Sequence, residues 1–188
     1  MGKLVIGIVG EKGSGKGTFP TLLQEIVPDK KIAKTTFSDS LTETFKVWSL
    51  PPTRENYIKL MVAMRDTFGP NVLANSVRKR IEDLEGDIVI VDGMRWMADL
   101  EMIRSLPNSK VLYITADPKV RYERTKARGQ KAGETEASFE QFMKQETAAT
   151  EVDIPKIAAQ ADFTINNNGT LEEFKRQTQD LLNKFLTK

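Results

Sequence analysis

The fold turns on the stretch Leu4-Val5-Ile6-Gly7-Ile8-Val9-Gly10-Glu11-Lys12-Gly13-Ser14-Gly15-Lys16-Gly17-Thr18. Leu4 to Val9 is a short apolar run rich in β-branched residues, which reads as a strand buried on both faces. From Lys16 to Val27 the apolar positions Phe19, Leu22, Leu23 and Ile26 recur at helical spacing, and Pro28 ends the pattern. A strand, a glycine loop and a helix in direct succession form a phosphate cradle. The glycines let backbone N–H groups converge on phosphate oxygens, the helix N-terminus adds positive potential, and Lys16 supplies a point charge for β- and γ-phosphates. A plain glycine turn before a helix would explain neither the lysine nor the spacing. Gly10, Lys12, Gly13, Ser14, Gly15, Lys16, Gly17 and Thr18 are therefore the candidate contacts for ATP.

Working outward, short apolar or β-branched runs lie at Lys31 to Phe37, Asp87 to Val91, Lys110 to Thr115 and Asp162 to Ile165, and they alternate with longer helical stretches. This pattern predicts an α/β domain with a five-stranded parallel sheet, helices on both faces, and ligands at the carboxyl ends of the strands. Residues 38–84 are too long for one crossover. Broken by Pro51-Pro52 and Gly69-Pro70, they read as a helical insertion with helices near Thr53 to Phe68 and Asn71 to Leu84, Thr53 and Asn71 serving as N-caps. Residues 121–136 run from a helix into a polar, glycine-bearing stretch with the composition of a lid. One domain over residues 1–188 is expected.

Composition narrows the chemistry. With neither cysteine nor histidine, the chain has no disulfide, thiolate nucleophile, imidazole base or Cys/His zinc site, so carboxylates, Lys, Arg, hydroxyls and backbone amides must act. The net charge of +2 argues against a nucleic-acid partner. Only Lys3 precedes the first apolar run, and no run approaches the roughly 18 apolar residues of a membrane span. A cytoplasmic protein without a membrane partner is expected, as a monomer or homodimer.

Several polar residues fall where such a sheet would gather a site. Ile88 to Val91 would deliver Asp92 beside the phosphate loop, a natural Mg²⁺-organising position, although Asp92-Gly93 is also ordinary turn chemistry. Arg95 follows three residues on and suits an acceptor phosphate. Asp39 either orients the acceptor or, with Ser38, N-caps a helix. Arg54 and Arg65 are candidate phosphate clamps because guanidinium forks match phosphate oxygens. Arg78 and Arg80 read as solvated surface. Arg121, Arg124 and Arg128 share one helical face, where they would either line a lid and stabilise charge on a transferred phosphoryl group, or form an ordinary basic face paired with Glu123. Trp48 and Trp96 read as core packing rather than a base-stacking wall.

Gly15-Lys16-Gly17-Thr18 resembles the loop of adenylate kinases, which implies a P-loop nucleotide kinase: a three-layer sandwich with an insertion that binds the nucleoside monophosphate and a short lid. Gly17 stands where a Ser or Thr usually reaches Mg²⁺, so the resemblance leaves metal contact to Thr18, through water, and to Asp92. The segment from Asp92 through Arg95 to Asp99 is similar to deoxynucleoside monophosphate kinases, implying that Arg95 binds the acceptor while Asp99 orients it or favours a helix start. Residues 165–173 resemble the last strand and turn of dephospho-CoA kinases and deoxynucleoside monophosphate kinases, which implies that Asn168 and Gly169 pass the adenine; Thr170 and Glu173 also spell a capping box. The implied activity is transfer of the ATP γ-phosphate to AMP or a deoxynucleoside monophosphate, with catalytic residues Lys16, Asp92, Arg95, Arg124 and Arg128. Dephospho-CoA kinase, and an ATP-binding regulatory NTPase or switch, are the alternatives.

Overall fold

The computed structural model describes residues 2–129, 137–146 and 152–186. Five strands, β1 (Leu4–Val9), β2 (Ile32–Thr36), β3 (Ile88–Asp92), β4 (Ser109–Thr115) and β5 (Phe163–Asn166), form one sheet in the order β2-β3-β1-β4-β5. Every neighbouring pair is parallel. The five expected runs are all strands, displaced by a residue at most at either end.

Alternation along the strands sorts their side chains onto two faces. Leu4, Ile6, Ile8, Ile88, Ile90, Leu112, Ile114 and Ile165 point to one, against Phe19, Leu22 and Leu23 of α1 (Phe19–Ile26) and Phe174, Leu181 and Leu182 of α9 (Leu171–Leu186). Val5, Val9, Val89, Val91 and Val111 point to the other. There they meet Ala74, Val77 and Ile81 of α4 (Val72–Asp83), Leu100, Met102 and Ile103 of α5 (Met97–Arg104), and Ile154 and Ile157 of α8 (Ile154–Ala158). Burying a large aliphatic side chain contributes about 1.5–3 kcal/mol, so these two layers dominate the stability of the fold.

Helix α4 thus belongs to a covering layer, and the part of residues 38–84 that stands off the sheet is α2 (Asp39–Val47) with α3 (Arg54–Phe68). These two hold on through a small cluster of Leu41, Phe45 and Leu73 with Tyr57, Leu60 and Met61, including an edge-to-face Phe45–Tyr57 contact at 4.7 Å. Thr53 caps α3 as expected, its hydroxyl accepting from Asn56 N–H at 3.2 Å. Asn71 precedes α4 but makes no side-chain capping bond. Trp48 is 70% exposed at the end of α2, not core as its composition suggested. Of the segment expected to form a lid, residues 121–129 are described; they belong to α6 (Pro118–Arg128) and its C-cap, and α7 (Phe139–Glu146) packs on α6 through Tyr122, Phe139 and Phe142. Residues 130–136 lie outside the described residues. No described helix is long and apolar enough to cross a membrane.

Candidate phosphate and acceptor site

The loop from Gly10 to Thr18 is held by β4 and the end of β5. Gly10 has φ +156°, and a Cβ there would stand 2.1 Å from the Ile114 carbonyl oxygen of β4, so only glycine fits. The Glu11 carboxylate accepts from Tyr113 Oη and, at 3.0 Å, from Thr115 Oγ1, both on β4. Asn167, just past β5, donates from Nδ2 to the Ser14 carbonyl at 2.9 Å. Lys16 Nζ donates to the Gly10 and Glu11 carbonyls at 2.7 Å each, and so lies over the loop whose phosphates it would neutralise. The regular helix begins at Phe19 rather than Lys16, leaving Thr18 exposed at its N-cap with no side-chain capping bond. Around Gly17 a Cβ would meet nothing within 4 Å, so the missing hydroxyl at this position reflects no lack of room.

Helix α6 backs the loop. Arg121 is 4% exposed; its Nε donates to Ala116 O at 2.7 Å, Nη1 approaches Lys12 O at 3.4 Å, and the guanidinium lies over the Phe142 ring. Arg124 donates to the carbonyls of Asn167 at 2.7 Å and Gly169 at 3.3 Å. The row expected to line a lid is therefore divided: Arg121 and Arg124 tie α6 to backbone carbonyls of the loop and the β5 turn, while Arg128 is exposed at the helix end. Asn168 Oδ1 accepts from Asp117 N–H at 2.6 Å. Thr170 and Glu173 form the reciprocal capping box.

Asp92 ends β3, paired with Ile8 of β1 and Thr36 of β2. Its Oδ1 is buried with no hydrogen-bond partner, and its Oδ2 stands 4.0 Å from Lys34 Nζ. A buried carboxylate oxygen left bare suits a hard cation. No cluster of three Asp or Glu exists among the described residues, so Mg²⁺ held by Asp92 and Thr18 would draw its other ligands from phosphate and water, as this ion prefers.

Across from the loop, Arg65 near the end of α3 stacks on Trp96 at 4.7 Å, and Trp96 is half-buried just before α5. Asp99 is 2% exposed and accepts from the backbone N–H groups of Arg95 and Trp96 at 2.9 and 3.0 Å. Burial pushes its carboxyl up to about 6, although those two hydrogen bonds and the charges of Arg65 and Arg95 oppose the shift. Asp99 thus starts the helix and fixes the backbone that carries Arg95. Asp39, the first residue of α2, turns back on β2: its two oxygens accept from Thr35 Oγ1, Thr36 N–H and Thr36 Oγ1. Burial raises its carboxyl, but the Thr36 and Thr35 hydrogen bonds and the Arg80 charge prevail and hold it below the usual range. Neither residue caps the helix as expected: Ser38 takes the N-cap position without a side-chain bond, and Asp39 instead ties the start of α2 back to β2. Arg80, read as solvated, instead pairs with Glu43 and donates to Ser40 Oγ at 3.2 Å. Arg78 donates to Ser105 Oγ at 2.6 Å. Arg54 opens α3, and its side chain lies outside the described residues.

Three residues escaped the sequence reading. Asn167, not Asn168, is the buried contact to the loop; the Asn166-Asn167-Asn168 run marked the turn, but only the strand's end point selects one of the three. Glu11 carried no signal beyond being an acid inside a phosphate loop. Lys34 could have been noticed as a charge in the middle of a strand.

No family model matches the chain. A UPF0200 protein of Sulfurisphaera tokodaii is 32% identical over 182 residues, spanning 97% of each chain. This chain belongs to the UPF0200 family. A further UPF0200 protein, from Hyperthermus butylicus, is 27% identical over 182 residues, covering 97% of this chain and 95% of the relative. Among solved structures, shikimate kinase from Bacteroides thetaiotaomicron superimposes with a TM-score of 0.62 at 14% identity, over 96% of this chain and 97% of that one. Shikimate kinase from Acinetobacter baumannii in complex with shikimate gives 0.58 at 14% identity, over 99% and 96%. This UPF0200 protein therefore shares the fold of these two kinases.

Proposed function

We propose that this UPF0200 protein transfers the γ-phosphate of ATP to a small anionic acceptor, in the first instance a nucleoside monophosphate. The observation that carries the reading is the loop Gly10–Thr18, with Lys16 lying over it and the bare oxygen of Asp92 on the neighbouring strand. Lys16, the loop amides and Mg²⁺ would hold ATP, and Arg65 and Arg95 the acceptor's phosphate. An acceptor phosphate oxygen bonds to the γ-phosphorus as that atom's bond to the bridging oxygen breaks, and ADP leaves. A phosphate nucleophile is already ionised, so the absence of any histidine base is no handicap.

The Arg65–Trp96 stack supports an anionic acceptor, since stacking leaves the edge of a guanidinium free to donate in its own plane. A second reading, a nucleotide-driven switch, draws on Val47, Trp48, Ile58, Val62 and Phe68, which stand 39–78% exposed on α2 and α3 and would suit a protein partner.

Phosphoryl transfer from Mg·ATP should be followed across ribo- and deoxynucleoside monophosphates, dephospho-CoA and shikimate, with ADP and phosphorylated product measured separately. Product from a nucleoside monophosphate upholds the proposal, and product only from another acceptor replaces the substrate class. ADP without any phosphorylated acceptor supports the switch.

A further inference from the structure

The end of β3 holds an arrangement that phosphate binding alone leaves unexplained. Asp92 has one oxygen buried without a partner and the other facing Lys34, whose side chain is 42% exposed against 18% for Asp92. Lys34 sits in the middle of the edge strand β2, paired with Ile90, and Thr36 of the same strand is paired with Asp92. By two-residue alternation, Ile32, Lys34 and Thr36 point to the face covered by α1, as do Ile88, Ile90 and Asp92. The lysine therefore lies on that face, and its ammonium ends 4.0 Å from Asp92 Oδ2, on the same carboxylate whose bare Oδ1 would take a cation. Other nearby acids are taken: Asp39 is filled by Thr35 and Thr36, and Glu43 by Arg80.

We propose that Lys34 is the resident counter-ion of Asp92 and that the divalent cation arriving with a nucleotide must displace it. The inference rests on the phosphotransferase reading and adds to it a residue that sets the Mg²⁺ requirement. An ammonium and a dication compete for one carboxylate because each loses part of its attraction when the other is present. Gly17 sharpens the competition. With no hydroxyl directly after Lys16, the protein offers the cation only the neutral Thr18 and the charged Asp92, so whatever neutralises Asp92 acts directly on cation affinity.

The test titrates Mg²⁺ into protein with a fixed concentration of N-methylanthraniloyl-ADP, reading fluorescence anisotropy at constant ionic strength. Lys34→Met should lower the Mg²⁺ midpoint about two- to five-fold, the range expected for losing a half-exposed ion pair. Lys34→Arg should restore the wild-type midpoint. In an Asp92→Asn background the midpoint should rise, and Lys34→Met should no longer move it. Equal midpoints for wild type and Lys34→Met overturn the proposal. So does a Lys34→Met shift that survives Asp92→Asn, since it would report general surface charge. Far-UV circular dichroism melts check that each variant folds; if Lys34→Met does not, Lys34→Gln replaces it. A wild-type protein that binds no nucleotide, or binds it undiminished after Lys16→Ala, refutes the phosphotransferase reading and this proposal with it. Lys16-dependent binding with unchanged midpoints refutes the Lys34 role alone.

Discussion

Asn167 and Gly15 provide a sharp test of how the phosphate loop is held. Asn167 is 6% exposed, and its Nδ2 gives the Ser14 carbonyl a 2.9 Å hydrogen bond. Ser14 is fully buried, so water cannot readily replace that donor after Asn167→Ala. An orphaned buried acceptor costs about 1–3 kcal/mol. Taking about 2 kcal/mol, and about 2–4 °C per kcal/mol for a chain of this size, the melting temperature should fall by about 4–8 °C. Gly15→Ala is destabilising for two separable reasons. Its φ is +108°, a strain of about 1–3 kcal/mol for a side-chain-bearing residue, and its new Cβ would lie 2.3 Å from Asn167 Nδ2. Only the second reason disappears when Asn167 is already alanine. The double variant should therefore lose less stability than the sum of the singles, by at least about 1 kcal/mol, in urea titrations of all four proteins. Additivity within about 0.5 kcal/mol would refute the contact between Asn167 and the loop.

Three further outcomes follow from the site. Lys16→Ala should lower phosphoryl transfer at least about 100-fold while leaving the melting temperature within a few degrees, because its hydrogen bonds to Gly10 and Glu11 are made by a half-buried side chain; retained turnover would sink the assignment. Asp99 has a folded-state pKa raised from 3.8 to about 6, so the stability it contributes is complete below pH 4 and lost as pH rises through 6; Asp99→Asn should flatten that slope in melts from pH 4.5 to 7.5, and a parallel slope would refute it. Asp39 has a lowered pKa, so its contribution is present above pH 4 and lost as pH falls through the folded value; Asp39→Ala should cost about 1–2 kcal/mol at pH 7 and less at pH 3 by urea titration.

Much of the fold could be read from the chain because its buried strands have few polar interruptions. Leu4 to Val9 and Ile88 to Val91 are buried throughout, and such runs admit few other interpretations. Thr53 was legible for the same local reason, an N-cap ahead of a helix. Residues whose roles depend on distant partners were not. Arg80 read as surface because its acceptors, Glu43 and Ser40, lie on another helix, Ser40 being 40 residues away in sequence, and Trp48 read as core because nothing in its own segment says that α2 ends in the open. Arg121 had the right spacing for a lid but donates to the nearby Ala116 carbonyl and reaches the Lys12 carbonyl, which only the packing of α6 against the loop brings near.

The two halves of the site differ in how they are held, and that difference bears on function. Helix α1 buries Phe19, Leu22 and Leu23 within eight residues, and the loop before it is tied to β4, β5 and α6. Helix α3 is nearly twice as long, yet none of its described residues is buried, and Ile58, Val62 and Phe68 face outward. Segments with few buried contacts open at a lower free energy than core elements. The phosphate donor would thus meet a preformed loop, while the arm carrying Arg65 is attached through the Phe45–Tyr57 cluster and the stack on Trp96. Phosphoryl transfer favours this division: the donor must be oriented before chemistry, and an arm that closes on the acceptor excludes water that would otherwise accept the phosphoryl group.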